Sequence, residues 1–463
     1  MQRWFSLFLF AASTFYNAAY AQQNPKYFLQ YIYIEGNKVT KPEVILREIT
    51  LREGDSTYMP TLKNALVQSQ NQLFNTSLFL SVKITDSLIA ENIVVLYVKV
   101  AERWYLIPEF TFQLEDRNFN EWLNNKPLYR TTFGLGLTRY NFRGLNQRLG
   151  ADISVGWRES LELRYKIPYL NKKKTLGLSS ILYHERGHEV GYITQNNELQ
   201  FLKVNEKYIF RKTGIETALN YRRQHRFNHV FRFALENYLL DDTLAKERNY
   251  NYLGEGRNNI LLPRFSYQFI YDNRNNVFYP VRGNYFSAVF EQKGLPNITS
   301  GINIFSADFT FRKFISLSKR LSLSSNLKTQ INLPETLPYL FRSSLGYRYQ
   351  IRGYEHYVMD GNAVFLFAGE LRYKAWEHTF KLNYLPFEQF NTIPVALYPK
   401  IFYDEGYVSY PIVNQNNTLL NTWLAGFGFG VDVTSYYDKI LRLEYSFNKL
   451  GESEVFLHYL EVF

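Results

Sequence analysis

The chain has 463 residues and no cysteine among them. Without thiols it can hold neither a disulfide framework nor a thiolate nucleophile, nor a zinc site ligated by cysteine. Beyond its N-terminus it also lacks an apolar run of the roughly 20 residues that a membrane-spanning helix requires. Backbone pairing and side-chain packing must therefore supply its stability.

The N-terminus has the three parts of an export signal. Arg3 supplies a positive charge, residues 4–16 are mostly apolar, and Ala19-Tyr20-Ala21 has the small-x-small pattern of a cleavage site. The apolar stretch is too short for a membrane anchor, since a spanning helix needs about 20 residues. We therefore predict a signal peptide over residues 1–21 and an exported mature chain that starts near Gln22.

Aromatic residues are abundant although the chain is not hydrophobic on average. They make up 18% of the sequence, with 38 Tyr and 38 Phe, while the mean hydropathy is −0.30. Transmembrane β-barrels combine both properties, because aromatic girdles lie at the membrane interfaces and lumen-facing polar residues dilute the apolar signal. The net charge of +11 favours outer-membrane lipid headgroups or an acidic client as partners. Nucleic acid is not expected, since no basic cluster has recognition spacing.

Helical periodicity is clearest between residues 27 and 104. Leu62, Leu66 and Leu73 share one helical face. An earlier segment opens with Thr40-Lys41-Pro42-Glu43, which has capping-box spacing with proline in the first turn. Two short helices are therefore predicted. The flanking strands are expected at residues 31–35, 81–85 and 92–100.

The order strand, helix, helix, strand, strand resembles a POTRA (polypeptide-transport-associated) domain. The resemblance rests on Ile34-Glu35-Gly36-Asn37 at the front, on the stretch from Leu73 to Val82, and on residues 98–102 at the end. It implies one periplasmic POTRA domain over residues 27–104. In that family the domain receives unfolded polypeptide, in part by adding an extended client segment to its sheet edge. A folded spacer is the alternative.

From about residue 105 to Phe463 the apolar period changes to two. Leu149, Ile153 and Val155 alternate with polar residues, and similar segments follow throughout. We count sixteen candidate strands at about 22 residues each, which accommodates tilted spanning strands of roughly 9–11 residues. An open sheet would leave unpaired amides in hydrocarbon. The pattern predicts a mostly β fold, a sixteen-stranded antiparallel transmembrane β-barrel over residues 105–463, preceded by the small α+β domain.

The final strand ends the chain on an aromatic residue. Leu457, Tyr459 and Phe463 have the same strand parity, and a terminal phenylalanine resembles the signal by which outer-membrane barrels are recognised and inserted. Glu461 interrupts the apolar face, and it is expected near the membrane interface, where a charge costs far less than at the midplane. These residues predict the outer membrane of a Gram-negative-type cell as the location.

Two barrel motifs and a loop motif resemble the superfamily of POTRA-containing outer-membrane assembly and translocation barrels. This superfamily includes the Bam, Tam and Sam type, the bacterial surface antigen family and the two-partner secretion transporters. The first motif is Asn141-Phe142-Arg143-Gly144 with Pro168-Tyr169-Leu170 further on. The second is Asp272-Asn273-Arg274 with Phe278 to Gly283, which is similar to the family's mid-barrel periplasmic turn. The chain is identified as a short member with a single POTRA domain.

The loop motif, Ile351-Arg352-Gly353-Tyr354, is similar to the tip of the family's long sixth extracellular loop. The resemblance implies that the loop, around residues 333–361, folds into the lumen and that acidic residues of the barrel wall hold the arginine. The matching acids here are Glu370 and Asp404. A guanidinium offers a planar fork to carboxylates, and glycine permits close backbone approach. Arg352 then either conditions client handling or only stabilises the barrel.

His184-Glu185-Arg186-Gly187-His188 spells a zinc-protease pattern, which needs both histidines one turn apart on a helix. The surrounding residues favour a strand, on which the two histidines lie about 13 Å apart. We therefore predict no metal, no cofactor and no catalytic residue. The protein is not expected to be an enzyme.

The resemblance implies an assembly factor or translocase that takes unfolded outer-membrane or secreted polypeptides as clients. Accessory lipoproteins are further candidate partners. A dedicated exporter of one secreted protein, as in two-partner secretion, is the alternative, although that class usually carries two POTRA domains. A passive porin is a third hypothesis. Residues 374–391 are expected on the periplasmic side, either as an elongated turn or as a docking surface.

Overall fold

A computed structural model of the chain describes residues 25–114, 131–204, 206–295, 299, 301–346, 349–381, 392–411, 416–435 and 439–461. The predicted signal peptide over residues 1–21 and the terminal Phe463 lie outside these residues. Within the described part of the chain, no helix has the length and apolar character needed to cross a membrane.

The N-terminal region forms a small α+β domain. Its elements are β1 (Lys26–Glu35), α1 (Pro42–Glu48), β2 (Ser56–Tyr58), α2 (Met59–Phe74), β3 (Phe79–Ala90) and β4 (Ile93–Glu102). The sheet has the order β2-β1-β4-β3, with β1 parallel to β4 and the other pairs antiparallel. The predicted order of elements is confirmed, and the three-residue strand β2 is an addition that the sequence pattern did not reveal.

Helix α2 packs as its periodicity predicted. Leu62, Leu66 and Leu73 are all buried, together with Ser69. The capping box predicted for α1 is wrong, because Lys41 is the N-cap and no side chain caps the helix. The hydroxyl of Thr40 instead lies 3.0 Å from the phenol oxygen of Tyr105 and accepts a 2.8 Å hydrogen bond from Asn141 Nδ2. The threonine therefore joins the domain to the first barrel strands.

The remaining long strands close into a barrel. Around it in order lie β5 (Leu106–Leu114), β6 (Thr131–Phe142), β7 (Gln147–Gly156), β8 (Arg158–Ile167), β9 (Leu176–Gly187), β12 (Phe210–Tyr221), β13 (Phe227–Leu240), β14 (Asn259–Asp272), β15 (Gly283–Lys293), β16 (Ile304–Ser316), β17 (Leu321–Leu333), β20 (Ala363–Tyr373) with β21 (Trp376–Lys381), β22 (Thr392–Ser409), β23 (Leu424–Thr434), β24 (Lys439–Asn448) and β25 (Ser453–Glu461). The last strand neighbours the first.

The seventeen strand segments that the described residues form occupy sixteen positions around the barrel. β20 and β21 are separated by two residues and both pair with β22, so together they form one interrupted strand. The predicted sixteen-stranded barrel is confirmed. Its outer surface carries the exposed apolar side chains of the alternating segments, among them Leu149, Ile153 and Val155 on β7. Such a surface suits hydrocarbon.

The two ends of the barrel differ. Turns are short at the end where the N-terminal domain lies, which is typical of the periplasmic end of bacterial barrels. At the other end, the hairpin of β10 (Glu189–Gln195) and β11 (Glu198–Lys203) and the short pair β18 (Ser343–Leu345) and β19 (Met359–Gly361) belong to long loops. Leu253, Leu262 and Leu337 take part in a buried apolar cluster there, which holds these loops together.

Candidate functional site: a luminal charge cluster and a domain at the barrel mouth

Arg352 lies in the long segment between β17 and β20, and this segment folds back into the lumen. Its guanidinium Nη1 lies 2.6 Å from Glu370 on β20 and 2.9 Å from Glu444 on β24. Nη2 and Nε donate to the two carboxylate oxygens of Asp404 on β22, at 2.5 and 2.8 Å. One arginine therefore ties a loop to three strands. Arg352, Glu370 and Asp404 come together as the sequence predicted.

The sequence pattern does not indicate most of the charges that surround Arg352. Lys400 Nζ lies 2.8 Å from Glu444 and 2.9 Å from Asp432, and both of these carboxylates are buried. Arg372 and Arg442 complete the group by pairing with Glu370 and Asp432. We call this set the luminal charge cluster. It consists of Arg352, Glu370, Arg372, Lys400, Asp404, Asp432, Arg442 and Glu444.

Four carboxylates and four cations make up the cluster, so its formal charge is zero. Buried ions are tolerated when each has a partner at close range, and removal of one partner leaves an uncompensated charge. The guanidinium of Arg352 also lies 3.9 Å from the ring centroid of Phe402, which shields one of its faces. The cluster therefore holds the loop rigidly against the barrel wall.

The next two residues of the motif also hold the loop against the barrel wall. Gly353 has a φ of +89°, which a residue with a side chain rarely adopts, and its carbonyl accepts a 2.6 Å hydrogen bond from Asn448 Nδ2. Tyr354 is 2% exposed and belongs to an apolar cluster with Ile351, Val408 and others. All three predicted loop residues thus contact the barrel interior.

Gly426 on β23 leaves room for the loop backbone. A Cβ at this position would collide with the carbonyl oxygen of Arg352. We expect Gly426→Ala to displace the loop and to destabilise the barrel by about 1–3 kcal/mol, as overpacking of a filled site does. The measurement is the temperature at which the purified barrel unfolds, followed by the loss of the gel band of the compact, folded form. Gly369→Ala is the matched control, because its added Cβ makes only ordinary contacts at 3.5 Å; equal unfolding temperatures would contradict the close approach.

The turn between β14 and β15 connects the charge cluster to the N-terminal domain. Tyr279 donates a 3.0 Å hydrogen bond to Asp432, and the guanidinium of Arg372 lies 4.8 Å from its ring centroid. The adjacent Phe278 packs edge-on against Phe74 of α2, with 6.5 Å between ring centroids. The motif Phe278 to Gly283 therefore contacts the domain on one side and the cluster on the other.

The N-terminal domain is fixed to the barrel by an ion pair at the end of α1. Glu48 is 1% exposed, and both of its carboxylate oxygens accept hydrogen bonds from Arg222 in the β12–β13 turn, each at 3.1 Å. The backbone carbonyl of Arg47 lies 2.8 Å from Nε2 of His225 in the same turn, and Arg47 Nε donates to the carbonyl of Lys174 in the β8–β9 turn. We call Glu48, Arg222, Arg47 and His225 the docking pair region.

Titration of the docking pair region makes the domain contact pH-dependent. Burial alone raises the pKa of Glu48, but the charges of Arg222 and Arg47 outweigh it and hold the pKa below its usual value. Burial lowers the pKa of His225 below its usual 6.5 despite the nearby Glu48. The docked state therefore prefers an ionised Glu48 and a neutral His225. Both contributions are complete at neutral pH and are lost as the pH falls, first for His225 below about 6.5.

We expect acidification from pH 8 to pH 5 to weaken the domain contact. Because the chain has no cysteine, two introduced cysteines, one at Ser87 on β3 and one on the barrel rim, can carry spin labels. The distance distribution between the labels should broaden between pH 6.5 and 5. His225→Gln keeps a hydrogen-bond donor but does not titrate, so in this variant the broadening between pH 6.5 and 5 should disappear. An unchanged distribution at pH 5 would contradict the assignment.

The other sequence predictions have separate outcomes. Leu457 is exposed on the outer face of β25, and the backbone of Tyr459 pairs with Leu441 on β24. Their role as an insertion signal stays a prediction.

His184 lies on β9, with Nδ1 2.8 Å from the hydroxyl of Thr213. The segment with the zinc-protease pattern is therefore a strand and not the helix that the pattern needs. Among the described residues, no cluster of three metal-ligating side chains occurs. Residues 382–391 lie outside the described part of the stretch 374–391.

The fold and the charge cluster define the class of protein: an outer-membrane β-barrel with a loop held inside its lumen and a small domain at one mouth. Residues 141–435 match the Omp85 superfamily domain, and the chain belongs to this superfamily. No curated protein matches the chain.

Two solved structures share the fold. The BamA of Haemophilus ducreyi lacking POTRA domains 1–3 is similar with a TM-score of 0.54 and 16% identity, over 94% of this chain and 84% of that one. CdiB from Escherichia coli is similar with a TM-score of 0.56 and 14% identity, over 94% of this chain and 76% of that one. Membership in the superfamily supports a general role in outer-membrane protein insertion or translocation, which these proteins perform as non-enzymatic factors.

Proposed function

We propose that the protein is an assembly factor or translocase that receives unfolded polypeptide and inserts it into, or passes it across, the outer membrane. Residues 1–21 are removed as a signal peptide, residues 27–104 act as a periplasmic POTRA domain, and the barrel over residues 105–463 handles the client. The observation that carries this proposal is a single cavity of about 2000 Å³. It extends from the face of α2 to the charge cluster in the lumen.

The cavity gives the domain and the barrel one shared space. Asn71 of α2 and Asn75 at its C-cap line it on one side, and Arg352 and Glu370 line it on the other. Sites for small molecules have volumes of about 300–1000 Å³, so this space suits a chain segment better than a cofactor. A client received by the domain thus has a direct route to the barrel interior.

The sheet of the N-terminal domain also offers a place for reception. β3 lies at one end of the strand order and, within the described residues, pairs only with β4. Its outer edge carries backbone donors and acceptors that an extended client segment can satisfy, which provides affinity without demanding one sequence. Leu88 and Ile89 at the end of β3 are more than half exposed and suit apolar client residues.

The proposed mechanism uses no nucleotide, metal or cofactor. A client strand satisfies its backbone groups by pairing in the membrane, and this pairing supplies the free energy of insertion. The charge cluster, in which Glu370 and Asp404 hold Arg352, keeps the loop with Gly353 and Tyr354 in position while the client passes or inserts. Accessory lipoproteins are candidate partners at the periplasmic face.

A dedicated exporter of one secreted protein is the second candidate, because the same cavity leads from the domain into the lumen. Depletion of the protein followed by comparison of the outer-membrane and secreted proteomes separates the functions. Loss of many barrels supports general assembly, and loss of one secreted protein supports export. Reduced small-solute uptake with both proteomes intact would mean a porin and would contradict the proposal.

A further inference from the structure

The walls of the shared cavity carry more positive than negative charge. Within the described part of the chain, thirteen lysine and arginine side chains and six aspartate and glutamate side chains line it. The cations of the charge cluster and of the docking pair region have acidic partners at close range. Most of the surplus therefore lies elsewhere on the wall.

Part of the surplus is a pair of like charges on neighbouring strands. Arg148 on β7 and Lys166 on β8 are direct cross-strand partners, and both line the cavity. Directly opposed like charges destabilise an antiparallel pair. Arg148 lies over the ring of Tyr140, and among the described residues neither cation forms an ion pair with a carboxylate. An anion in the cavity would remove the repulsion.

A third cation, Arg312 on β16, faces the same space. Its buried Nε has no hydrogen-bond acceptor among the described residues, and the buried Oδ1 of its cross-strand neighbour Asn326 has no donor. Both side chains line the cavity. Buried polar atoms are normally paired, so the wall offers one donor to an anion and one acceptor to an amide.

The side chains that α2 contributes to the cavity wall are uncharged. Helix α2 and its C-cap present a row of carboxamide side chains to the cavity, namely Asn64, Gln68, Asn71 and Gln72 of the helix and Asn75 at the cap. The buried Oε1 of Gln72 has no donor among the described residues. Carboxamides both donate and accept hydrogen bonds, which matches the groups of a peptide backbone. Phosphate oxygens only accept, and they would leave the buried Oε1 of Gln72 without a donor.

We infer that the cavity binds acidic, extended segments of polypeptide, with Arg148, Lys166 and Arg312 taking the carboxylates and the α2 carboxamides taking the backbone. This inference rests on the proposed function, because it names the chemistry of the client segment that enters the lumen. Acidic segments would then be held between the domain and the barrel during passage.

The test uses the full-length protein in lipid nanodiscs and three labelled peptides of 12 residues. The peptides share a Gly-Ser-Asn frame and carry four Glu, four Gln or four Lys, and binding is followed by fluorescence anisotropy. We expect the Glu peptide to bind at least tenfold more tightly than the Gln peptide, and the Lys peptide to bind most weakly. Equal affinity for the three peptides would overturn the inference.

The decisive variant is Arg148→Gln with Lys166→Gln. It should reduce affinity for the Glu peptide at least tenfold and leave the Gln peptide unchanged. The matched control is Lys172→Gln with Lys173→Gln, which removes the same charge from two exposed residues of the neighbouring turn outside the cavity lining. An equal loss of affinity for the Glu peptide in both variants would show that the total positive charge of the protein determines binding. That result would overturn the assignment to the cavity.

Three further readouts make the result unambiguous. The cavity variant should unfold at the same or a higher temperature than the wild type, because it removes a cross-strand repulsion; a lower temperature would mean that the pair has a structural role. Full displacement of the Glu peptide by an equimolar small phosphate, such as pyrophosphate or glycerol phosphate, would assign the site to phosphates or lipid headgroups instead. Client assembly that continues in a variant without acidic-peptide binding would overturn this inference and leave the proposed function intact.

Discussion

We expect Arg352→Ala to lower the thermal stability of the barrel more than any other single change. Among the described residues, Arg352 is the one cation that contacts Glu370, Asp404 and Glu444 together. Its removal leaves the cluster with four carboxylates and three cations. Breaking a buried ion pair from one side costs about 3–5 kcal/mol. The first measurement is the temperature at which the compact, folded barrel unfolds, followed on gels. The second is the yield of assembled clients in cells that carry only the variant.

Two further variants show which property of Arg352 matters. Arg352→Lys keeps the charge but loses the planar fork, so it should have an intermediate stability. Arg158→Ala removes an exposed arginine that pairs with Glu185 at 2.9 Å, and pairs of this kind contribute about 0–1 kcal/mol. A large effect of Arg158→Ala would contradict the special status of the cluster. Lowered stability of Arg352→Ala with unchanged client handling would mean that the arginine only stabilises the barrel.

We expect Glu48→Ala to release the N-terminal domain from the barrel. The variant leaves Arg222 without its carboxylate and removes two charge-assisted hydrogen bonds, at a cost of about 2 kcal/mol to docking. That cost lowers the ratio of docked to undocked molecules about thirtyfold. The spin-label pair between β3 and the barrel rim should then report a broad distribution at pH 8, where the wild type gives a narrow one.

The control for Glu48→Ala is Glu91→Ala, which removes an exposed acid in the β3–β4 turn of the same domain. It should leave the distance distribution as narrow as in the wild type. The charge reversal Glu48→Arg with Arg222→Glu should restore part of the docking if the pair acts through its mutual attraction. A narrow distribution in Glu48→Ala itself would show that other contacts fix the domain.

The sequence predicted the parts of the molecule whose pattern is local. Period two along each strand indicated the barrel, and the helical spacing of Leu62, Leu66 and Leu73 indicated α2 because burial of one face follows directly from that spacing. The motif around Arg352 led to Glu370 and Asp404 because the resemblance supplies their partnership. These three residues meet as expected.

The rest of the cluster depends on register, which the local pattern does not specify. Lys400, Asp432 and Glu444 lie on three adjacent strands, and only the register of these strands brings the ammonium of Lys400 within 3 Å of both carboxylates. The alternation along each strand was a usable signal. Each of the three charged residues alternates with apolar neighbours, so its side chain lies on the face opposite to theirs. Charged residues at inward positions of adjacent strands should therefore be examined together.

Contacts between the domain and the barrel lay beyond the sequence pattern. Glu48 and Arg222 are 174 residues apart, and nothing in either local segment indicates that they meet. Thr40 shows the same limit, since its spacing to Glu43 suggested a helix cap while its hydroxyl contacts Tyr105 and Asn141. Docking of one folded unit on another overrides a local preference of about 1 kcal/mol.

Reconstitution tests the central claim, that the protein handles unfolded polypeptide at the outer membrane. The purified full-length protein is placed in lipid vesicles, and urea-unfolded outer-membrane barrels and secreted proteins are added as clients. We predict that the wild type speeds the folding of barrels into the vesicles, or moves secreted clients inside them. Glu48→Ala should reduce either activity while Glu91→Ala does not. Clients that fold and cross at the same rate in empty vesicles as with the protein would contradict the account.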